Sequence, residues 1–110
     1  IRTRGDVRFI GVSNFSVEQM DRCAAIAPID VIQPEFSLAV RAAEEEVLPY
    51  ADEHGIGSLI YSPMKHGLLS GRMTRERVAQ LTGADWRHGH IEFSEPRLSR
   101  SNTPWNLRIV

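Results

Sequence analysis

Short apolar runs alternate with segments of helical periodicity along the first half of the chain. The runs cover residues 7–12, 29–33 and 56–61, and none alternates cleanly between apolar and polar side chains. A strand that is buried on both faces has this character, whereas a strand with one solvated face alternates with a period of two. The pattern therefore predicts three buried strands joined by helices.

The first of these helices is predicted to begin after Ser16. Gln19 stands three residues beyond Ser16, as a capping box requires, and Phe15 and Met20 are placed for a hydrophobic staple. Apolar side chains recur at helical spacing as far as residue 27, and Pro28 is expected to end the helix.

A second helix is predicted near the middle of the chain. Its start is expected near Val47, because Pro49 is tolerated in the first turn of a helix but not in its interior. Gly55 is a suitable stop, since glycine adopts the left-handed conformation that often follows a helix. Beyond a loop over residues 64–73, a short third helix is predicted with Thr74 as its cap.

The order strand, helix, strand, helix, strand favours a parallel sheet with right-handed crossovers. Ile10, Ile32 and Ile60 mark the strand centres, so the unit repeats every 22 to 28 residues. A closed (β/α)8 barrel uses about 30 residues per unit, and three units make less than half of one. The periodicity alone leaves open a partial barrel and an open, doubly wound sheet.

The bulk composition narrows the class of protein. The 110-residue chain has a net charge of −1, so it offers no basic surface for nucleic acid or anionic lipid. No apolar run approaches the roughly 20 residues of a membrane span. Cys23 is the only cysteine, which excludes an internal disulfide and favours a reducing, cytoplasmic compartment. The opening IRTRGD has neither an initiator methionine nor a signal peptide, so we expect the chain to begin within a longer gene.

Each predicted strand ends in polar or aromatic side chains, namely Ser13 and Asn14, then Gln33, then Tyr61 and Ser62. The carboxyl ends of parallel strands lie on one face of such folds, so these side chains are expected to converge there. Amides and hydroxyls suit a neutral amide ligand, and a tyrosine offers a flat face for a ring. The same residues are equally consistent with a helix cap and with strand ends in water.

Four blocks of sequence stand in order along the chain: VRFIGVSNFS, PIDVIQPEFSL, EVLPYADEHGIG and YSPMKHGLLSGR. In order and spacing they resemble the second half of the aldo-keto reductase family. The resemblance implies an α/β fold that is part of a TIM (β/α)8 barrel, about three βα units corresponding to barrel strands 5–7. Residues 1–100 would form this partial barrel domain, and residues 101–110 a divergent C-terminal tail.

The resemblance also implies an NADP(H) cofactor and a role for each strand end. Ser13, Asn14 and Gln33 match the residues that hydrogen-bond the nicotinamide carboxamide. Tyr61 matches the aromatic residue that stacks on the nicotinamide ring and fixes which face gives up hydride. These strands would then deliver amides and a hydroxyl in order to hold a carboxamide.

The segment after the third strand resembles the family's pyrophosphate loop. Ser62, Met64, Gly67 and Leu69 lie in this segment and are expected to wrap the pyrophosphate, largely through main-chain groups. Arg72 stands where the family often has a lysine that meets a cofactor phosphate. A guanidinium can bind phosphate bidentately, so an arginine in place of this lysine can still bind the cofactor phosphate.

No block of the chain matches those that carry the family's catalytic Asp, Tyr, Lys and His. We therefore predict no catalytic residue in this chain, and no metal site, since His88 and His90 lack a nearby third ligand. The resemblance implies a segment of an NADP-dependent oxidoreductase that reduces small carbonyl substrates, with the chain alone inactive. The alternative is a non-catalytic, truncated cofactor-binding or interaction module.

Overall fold

Three short strands form a parallel sheet in the computed structural model, which describes residues 2–94. They are Gly11–Ser13 (β1), Val31–Gln33 (β2) and Gly57–Ser58 (β3), and they pair in the order β1-β2-β3. Val12 lies opposite Ile32, and Ile32 lies opposite Ser58. The predicted alternation of strands and helices and the parallel pairing of the strands are therefore confirmed.

The predicted first strand is wrong at its beginning, because β1 begins at Gly11 rather than at residue 7. The Ile10 amide donates to the Asp30 carboxylate at 2.8 Å, and the same carboxylate binds the Arg2 guanidinium at 2.8 Å. A side chain thus replaces the ladder hydrogen bond before β1. The third strand is also shorter than predicted, although Glu35 and Tyr61 form a further parallel bridge.

Helix α1 spans Val17–Ala24 and begins as its sequence predicts. The Ser16 hydroxyl accepts from the Gln19 amide, and the Gln19 side chain accepts from the Ser16 amide, which confirms the capping box. The helix ends four residues before Pro28, because the amides of Ile26 and Ala27 both turn back to the Cys23 carbonyl.

Helix α2 spans Val47–Glu53 with Pro49 in its first turn, as predicted. Gly55 follows the helix with a φ of +64°, so it provides the left-handed stop. The Tyr50 hydroxyl donates to the Asp21 carboxylate at 2.7 Å and joins α2 to α1. This hydrogen bond is the main cause that raises the pKa of Tyr50 above its usual value.

The core of the first unit, residues 1–63, lies between the helices and one face of the sheet. Met20 of α1, Ile32 of β2 and Ala51 of α2 are almost fully buried in it. Phe9 and Leu59 are instead 69% and 59% exposed. We call the surface that carries these two residues the open face.

The second unit, residues 64–94 of the described chain, contains helix α3 over Arg75–Ala79. The Thr74 hydroxyl accepts from the Arg77 amide, which confirms the predicted cap. The stretch predicted as a loop contains a kinked 3-10 helix over Lys65–Ser70. Further 3-10 turns occur at Arg2–Arg4, Ala42–Glu44 and Ile91–Phe93.

Leu68, Met73 and Phe93 form the buried core of the second unit. Over residues 2–94, no helix is both long and apolar enough to cross a membrane. The tail predicted at residues 101–110 lies outside the described residues.

Candidate functional site

A groove of about 420 Å³ lies at the carboxyl ends of the strands in the first unit. Its lining includes Asn14 after β1, Gln33 at the end of β2 and Tyr61 after β3. Three of the predicted side chains are therefore brought together, although they are far apart in sequence. Ser13 and Ser62 adjoin lining residues without lining the groove themselves.

The main-chain carbonyl oxygen of Gln33 joins the ends of β1 and β2. The Ser13 hydroxyl donates to this oxygen at 2.9 Å, and the main-chain N–H of Asn14 donates to it at 3.3 Å. A hydroxyl has one proton and two lone pairs, so this bond leaves the Ser13 oxygen as an acceptor. The carboxamides of Asn14 and Gln33 are exposed and each offers both a donor and an acceptor.

Asn14 adopts the left-handed conformation, with a φ of 57°. Asparagine enters this region more readily than most residues, because its short polar side chain can hydrogen-bond locally. The left-handed residue turns the chain from the extended β1 toward the Ser16 cap. The asparagine at this position thus suits both the backbone turn and the groove.

Left-handed residues other than glycine coincide with the predicted cofactor segments. Within residues 2–94 they are Asn14, Ser62, Lys65 and His66. Such conformations cost on the order of 1–3 kcal/mol each, and they cluster at functional sites in proteins. Sequence patterns signal this conformation only at Asn14, because serine, lysine and histidine carry no strong preference for it.

Tyr61 is fixed by main-chain bonds to the segment that follows β2. Its amide donates to the Pro34 carbonyl at 3.1 Å, and its carbonyl accepts from the Phe36 amide at 3.4 Å. The phenol ring is half-buried and lines the groove. The ring is therefore held at the strand ends by backbone pairing rather than by a flexible loop.

Glu35 is a lining residue that the sequence analysis missed. It is half-buried and forms a parallel main-chain bridge with Tyr61, so these two lining residues are neighbours. Its signal in the sequence was a charged residue two positions after the end of the second strand. The remaining lining is mainly apolar and includes Phe15, Val40 and Val47.

The predicted pyrophosphate loop in the second unit is tightly bonded to itself. The amides of Gly67 and Leu69 both donate to the Met64 carbonyl, at 3.0 and 3.2 Å. The Ser70 hydroxyl donates to the Gly67 carbonyl at 2.5 Å and accepts from the Arg72 amide at 3.2 Å. Two of the amides expected to face a phosphate are therefore already bonded within the loop.

Two arginines of the second unit, Arg72 and Arg87, differ in whether their guanidinium groups are paired with an acidic side chain. The Arg72 side chain is exposed and makes no ion pair with an acidic residue between positions 2 and 94. Arg87 instead binds Asp85 through two side-chain hydrogen bonds, at 2.6 and 2.9 Å. These bonds lower the pKa of Asp85 to about 2 and raise the pKa of Arg87.

No group of three metal-ligating side chains comes together within residues 2–94. His88 and His90 are both exposed. His90 instead stands edge-on to Trp86, with ring centroids 5.2 Å apart.

A parallel sheet with polar and aromatic side chains at its carboxyl edge is the arrangement of part of a (β/α)8-barrel enzyme. Comparison with known proteins agrees with this class, since the model of the aldo/keto reductase family matches residues 1–110. The chain therefore belongs to the aldo/keto reductase family, a family of oxidoreductases that use nicotinamide cofactors.

Individual relatives support the same assignment. Aldo-keto reductase YhdN of Bacillus subtilis is 47% identical over 93 residues, which are 84% of this chain and 28% of YhdN. The NADH-specific methylglyoxal reductase of Escherichia coli is 35% identical over 78 residues, 71% of this chain and 24% of that protein.

A solved structure shows the fold. The glycerol dehydrogenase AKR11B4 of Gluconobacter oxydans superposes with a TM-score of 0.81 at 37% identity, over 92% of this chain and 30% of that one. The chain is thus a partial (β/α)8 barrel, and it spans about a quarter of the length of the curated relatives it matches.

Proposed function

We propose that this chain is the segment of an NADP-dependent aldo-keto reductase that binds the nicotinamide and pyrophosphate of the cofactor for carbonyl reduction. The observation that carries the proposal is the groove at the strand ends, where Asn14, Gln33 and Tyr61 meet. Residues 1–100 would be the barrel segment and residues 101–110 a divergent tail of a cytoplasmic protein.

The polar groups at the strand ends fit a nicotinamide carboxamide. A primary carboxamide offers two N–H donors and one carbonyl acceptor. The Ser13 oxygen keeps only acceptor capacity, so it suits the carboxamide N–H, while Asn14 and Gln33 can meet either group. The Tyr61 ring would then stack on the nicotinamide, and the bound cofactor would supply the hydride.

The phosphate part of the proposal rests mainly on Arg72. The segment that contains Ser62, Met64, Gly67 and Leu69 would wrap the pyrophosphate, but the Gly67 and Leu69 amides bond within the loop. The exposed guanidinium of Arg72 can bind phosphate oxygens bidentately, so it would supply the strongest contact.

We propose no catalytic residue in this chain, and the family's catalytic groups would come from the rest of the barrel. Measurable reduction of an aldehyde by the chain alone, above a heat-treated control, would contradict this. Of the alternatives, a non-catalytic cofactor-binding or interaction module, the interaction module is the second candidate, because Phe9 and Leu59 are exposed on the open face. It predicts that a complete barrel carrying this segment binds no dinucleotide.

The test uses a complete barrel made by grafting this chain onto YhdN in place of the stretch it matches. Gln33→Ala and Tyr61→Ala should each weaken NADPH binding by about 1–3 kcal/mol, through loss of an amide partner or a stacked ring. The controls are Gln80→Ala and Tyr50→Phe, which lie outside the groove; the second keeps the ring that packs against the core. Affinity is measured by fluorescence titration with NADPH and, for cofactor preference, with NADH.

Unchanged NADPH affinity in both the Gln33 and Tyr61 variants would overturn the site assignment. Equal losses in the control variants would also count against it, since they would indicate a general effect on folding. Tighter binding of NADH than of NADPH would reject only the proposed NADP preference.

A further inference from the structure

A groove of about 390 Å³ lies between helices α1 and α2 of the first unit, apart from the groove at the strand ends. One lining residue belongs to α1, and the others belong to α2 and the turn before it: Val17, Glu45, Glu46, Pro49, Tyr50 and Glu53. The two grooves share no lining residue. Because helices form the outer layer of a (β/α)8 barrel, a groove between two of them stays on the outside of the complete barrel.

One face of α2 supplies most of this lining. Its residues stand at positions i, i+3, i+4 and i+7, which a helix places on one side: Glu46, Pro49, Tyr50 and Glu53. The ends of this row are charged, and its middle offers an apolar ring and an aromatic one. A helix rises about 1.5 Å per residue, so the two glutamates stand roughly 10 Å apart along its axis.

The carboxylates around the groove have no cation beside them in the described part of the chain. Glu45, Glu46 and Glu53 are exposed, and none makes an ion pair or a side-chain hydrogen bond with a residue between positions 2 and 94. The helix dipole favours the two glutamates before the first turn, but it disfavours Glu53 in the last turn. Local structure therefore does not explain the charge of Glu53, whereas binding of a cation would.

The aromatic ring of the row, that of Tyr50, is fixed in orientation. Its hydroxyl donates to the Asp21 carboxylate at 2.7 Å. The His54 ring stacks on it, with centroids 4.0 Å apart and planes at 18°, and does not line the groove. A tyrosine ring attracts a guanidinium, and a ring that is already held in place loses little freedom when a ligand binds.

These features fit arginine better than other cations. A guanidinium binds a carboxylate bidentately and stacks on an aromatic ring, whereas an ammonium group acts as a point charge. Two arginines seven positions apart on a partner helix have the spacing of Glu46 and Glu53, and apolar residues between them would meet Pro49 and Tyr50.

We propose that this groove binds a basic amphipathic helix of a partner protein, through arginines at i and i+7 and apolar residues at i+3 and i+4. The acidic ends of the groove complement the arginines in charge, and its middle complements the apolar residues. The inference does not depend on the cofactor site, because the two grooves have different lining residues.

The experiment measures binding of a synthetic peptide to the YhdN graft by calorimetry. The peptide is an alanine-rich helix with arginines at i and i+7 and leucines at i+3 and i+4. A control peptide of the same composition has its arginines on the face opposite the leucines. The first peptide should bind saturably and more weakly as salt is raised, and the control peptide should bind at least about fivefold more weakly.

Charge substitutions test the groove residues one at a time. Glu46→Gln and Glu53→Gln should each weaken binding of the first peptide about fivefold, because each leaves one arginine without its carboxylate. Glu18→Gln removes the same charge from an exposed position of α1 outside the groove. This variant is the matched control and should bind the peptide as the parent graft does.

Absence of saturable binding, equal binding of the two peptides, or equal losses in Glu18→Gln and Glu53→Gln would each overturn the proposal. Spermidine, a flexible cation with no apolar side chain, should not displace the peptide at equal concentration. Displacement by spermidine would indicate a general attraction of cations and would also overturn it. NADPH affinity should be unchanged in Glu53→Gln, so the helix site and the cofactor site can fail independently.

Discussion

The Ser13 hydroxyl donates a hydrogen bond to the main-chain oxygen of Gln33, 2.9 Å away across β1 and β2. The two residues were predicted to meet the same ligand group, and they are also bonded to each other. The Ser13 hydroxyl therefore links the ends of β1 and β2 and is also a candidate acceptor for a carboxamide N–H.

We expect Ser13→Ala to lower the free energy of unfolding by about 0.5–1.5 kcal/mol, the usual worth of one hydrogen bond. The Gln33 oxygen keeps the Asn14 amide as a partner, so it is not left unsatisfied. Urea denaturation of the YhdN graft measures the change. Ser58→Ala, an exposed serine of β3, is the control and should have little effect. An equal loss of unfolding free energy in Ser13→Ala and Ser58→Ala would contradict a specific contribution from the Ser13 hydrogen bond.

Two substitutions of Asn14 separate its backbone role from its side-chain role. Asn14→Ala should destabilise the graft by about 1 kcal/mol, because the left-handed φ of 57° is less favourable for alanine than for asparagine. Asn14→Gly should not, since glycine enters this region freely. Both should weaken NADPH binding, because both lose the carboxamide. Full NADPH affinity in Asn14→Gly would show that the side chain does not contact the cofactor.

The Asp30 carboxylate holds the beginning of β1 by accepting from the Ile10 amide and from Arg2. Asp30→Ala should cost about 1–3 kcal/mol, because it leaves the Ile10 amide without this acceptor. Asp30→Asn keeps an acceptor oxygen and loses only the partly exposed ion pair, so it should cost less than about 1 kcal/mol. Denaturant unfolding tests the order. Asp6→Ala, which breaks an exposed pair with Arg4, is the control.

Acid should weaken the second unit through Asp85. The pKa of Asp85 lies at about 2, lowered from an ordinary 3.8 by its bonds to Arg87. A lowered pKa means that the pair stabilises the fold above pH 3.8 and that this contribution is lost as the pH falls toward 2. NMR titration of the Asp85 carboxyl should give a midpoint that rises in Arg87→Gln and not in Arg77→Gln. An unchanged midpoint in Arg87→Gln would contradict the assigned cause.

The isolated 110-residue chain should self-associate through its open face. Phe9 and Leu59 are exposed, and β1 and β3 are the outer strands of a three-stranded sheet. Exposed strand edges and apolar patches promote association between chains. Phe9→Gln combined with Leu59→Gln should shift size-exclusion chromatography with light scattering toward monomer. Ile26→Gln, at an 89% exposed position outside the sheet, should not. A monomeric parent chain would overturn this prediction.

The beginnings of the three α-helices and the stop at Gly55 followed from the sequence because the interactions that set them are local. The side chains of Ser16 and Gln19 each accept a hydrogen bond from the other residue's main-chain amide within one turn. Pro49 is tolerated only in the first turn of a helix, whatever the surrounding fold. Likewise, Gly55 and Thr74 act on their immediate neighbours. Such signals are complete within a few residues, so they can be recognised without knowledge of the rest of the fold.

The sequence by itself thus determined where the three α-helices begin, the alternation of strands and helices, and which polar residues end each strand. Tertiary structure decided where the strands begin and which of their faces meets the helices, because both depend on partners about twenty residues away. The Asp30 carboxylate accepts from the Ile10 amide, so the regular hydrogen bonding of β1 begins only after Ile10. Packing buries Ile32 and leaves Phe9 and Leu59 exposed to solvent. Pairing with Glu35 fixed Tyr61 over the groove, and the left-handed turns at Ser62, Lys65 and His66 followed from the chain around them rather than from their own preferences.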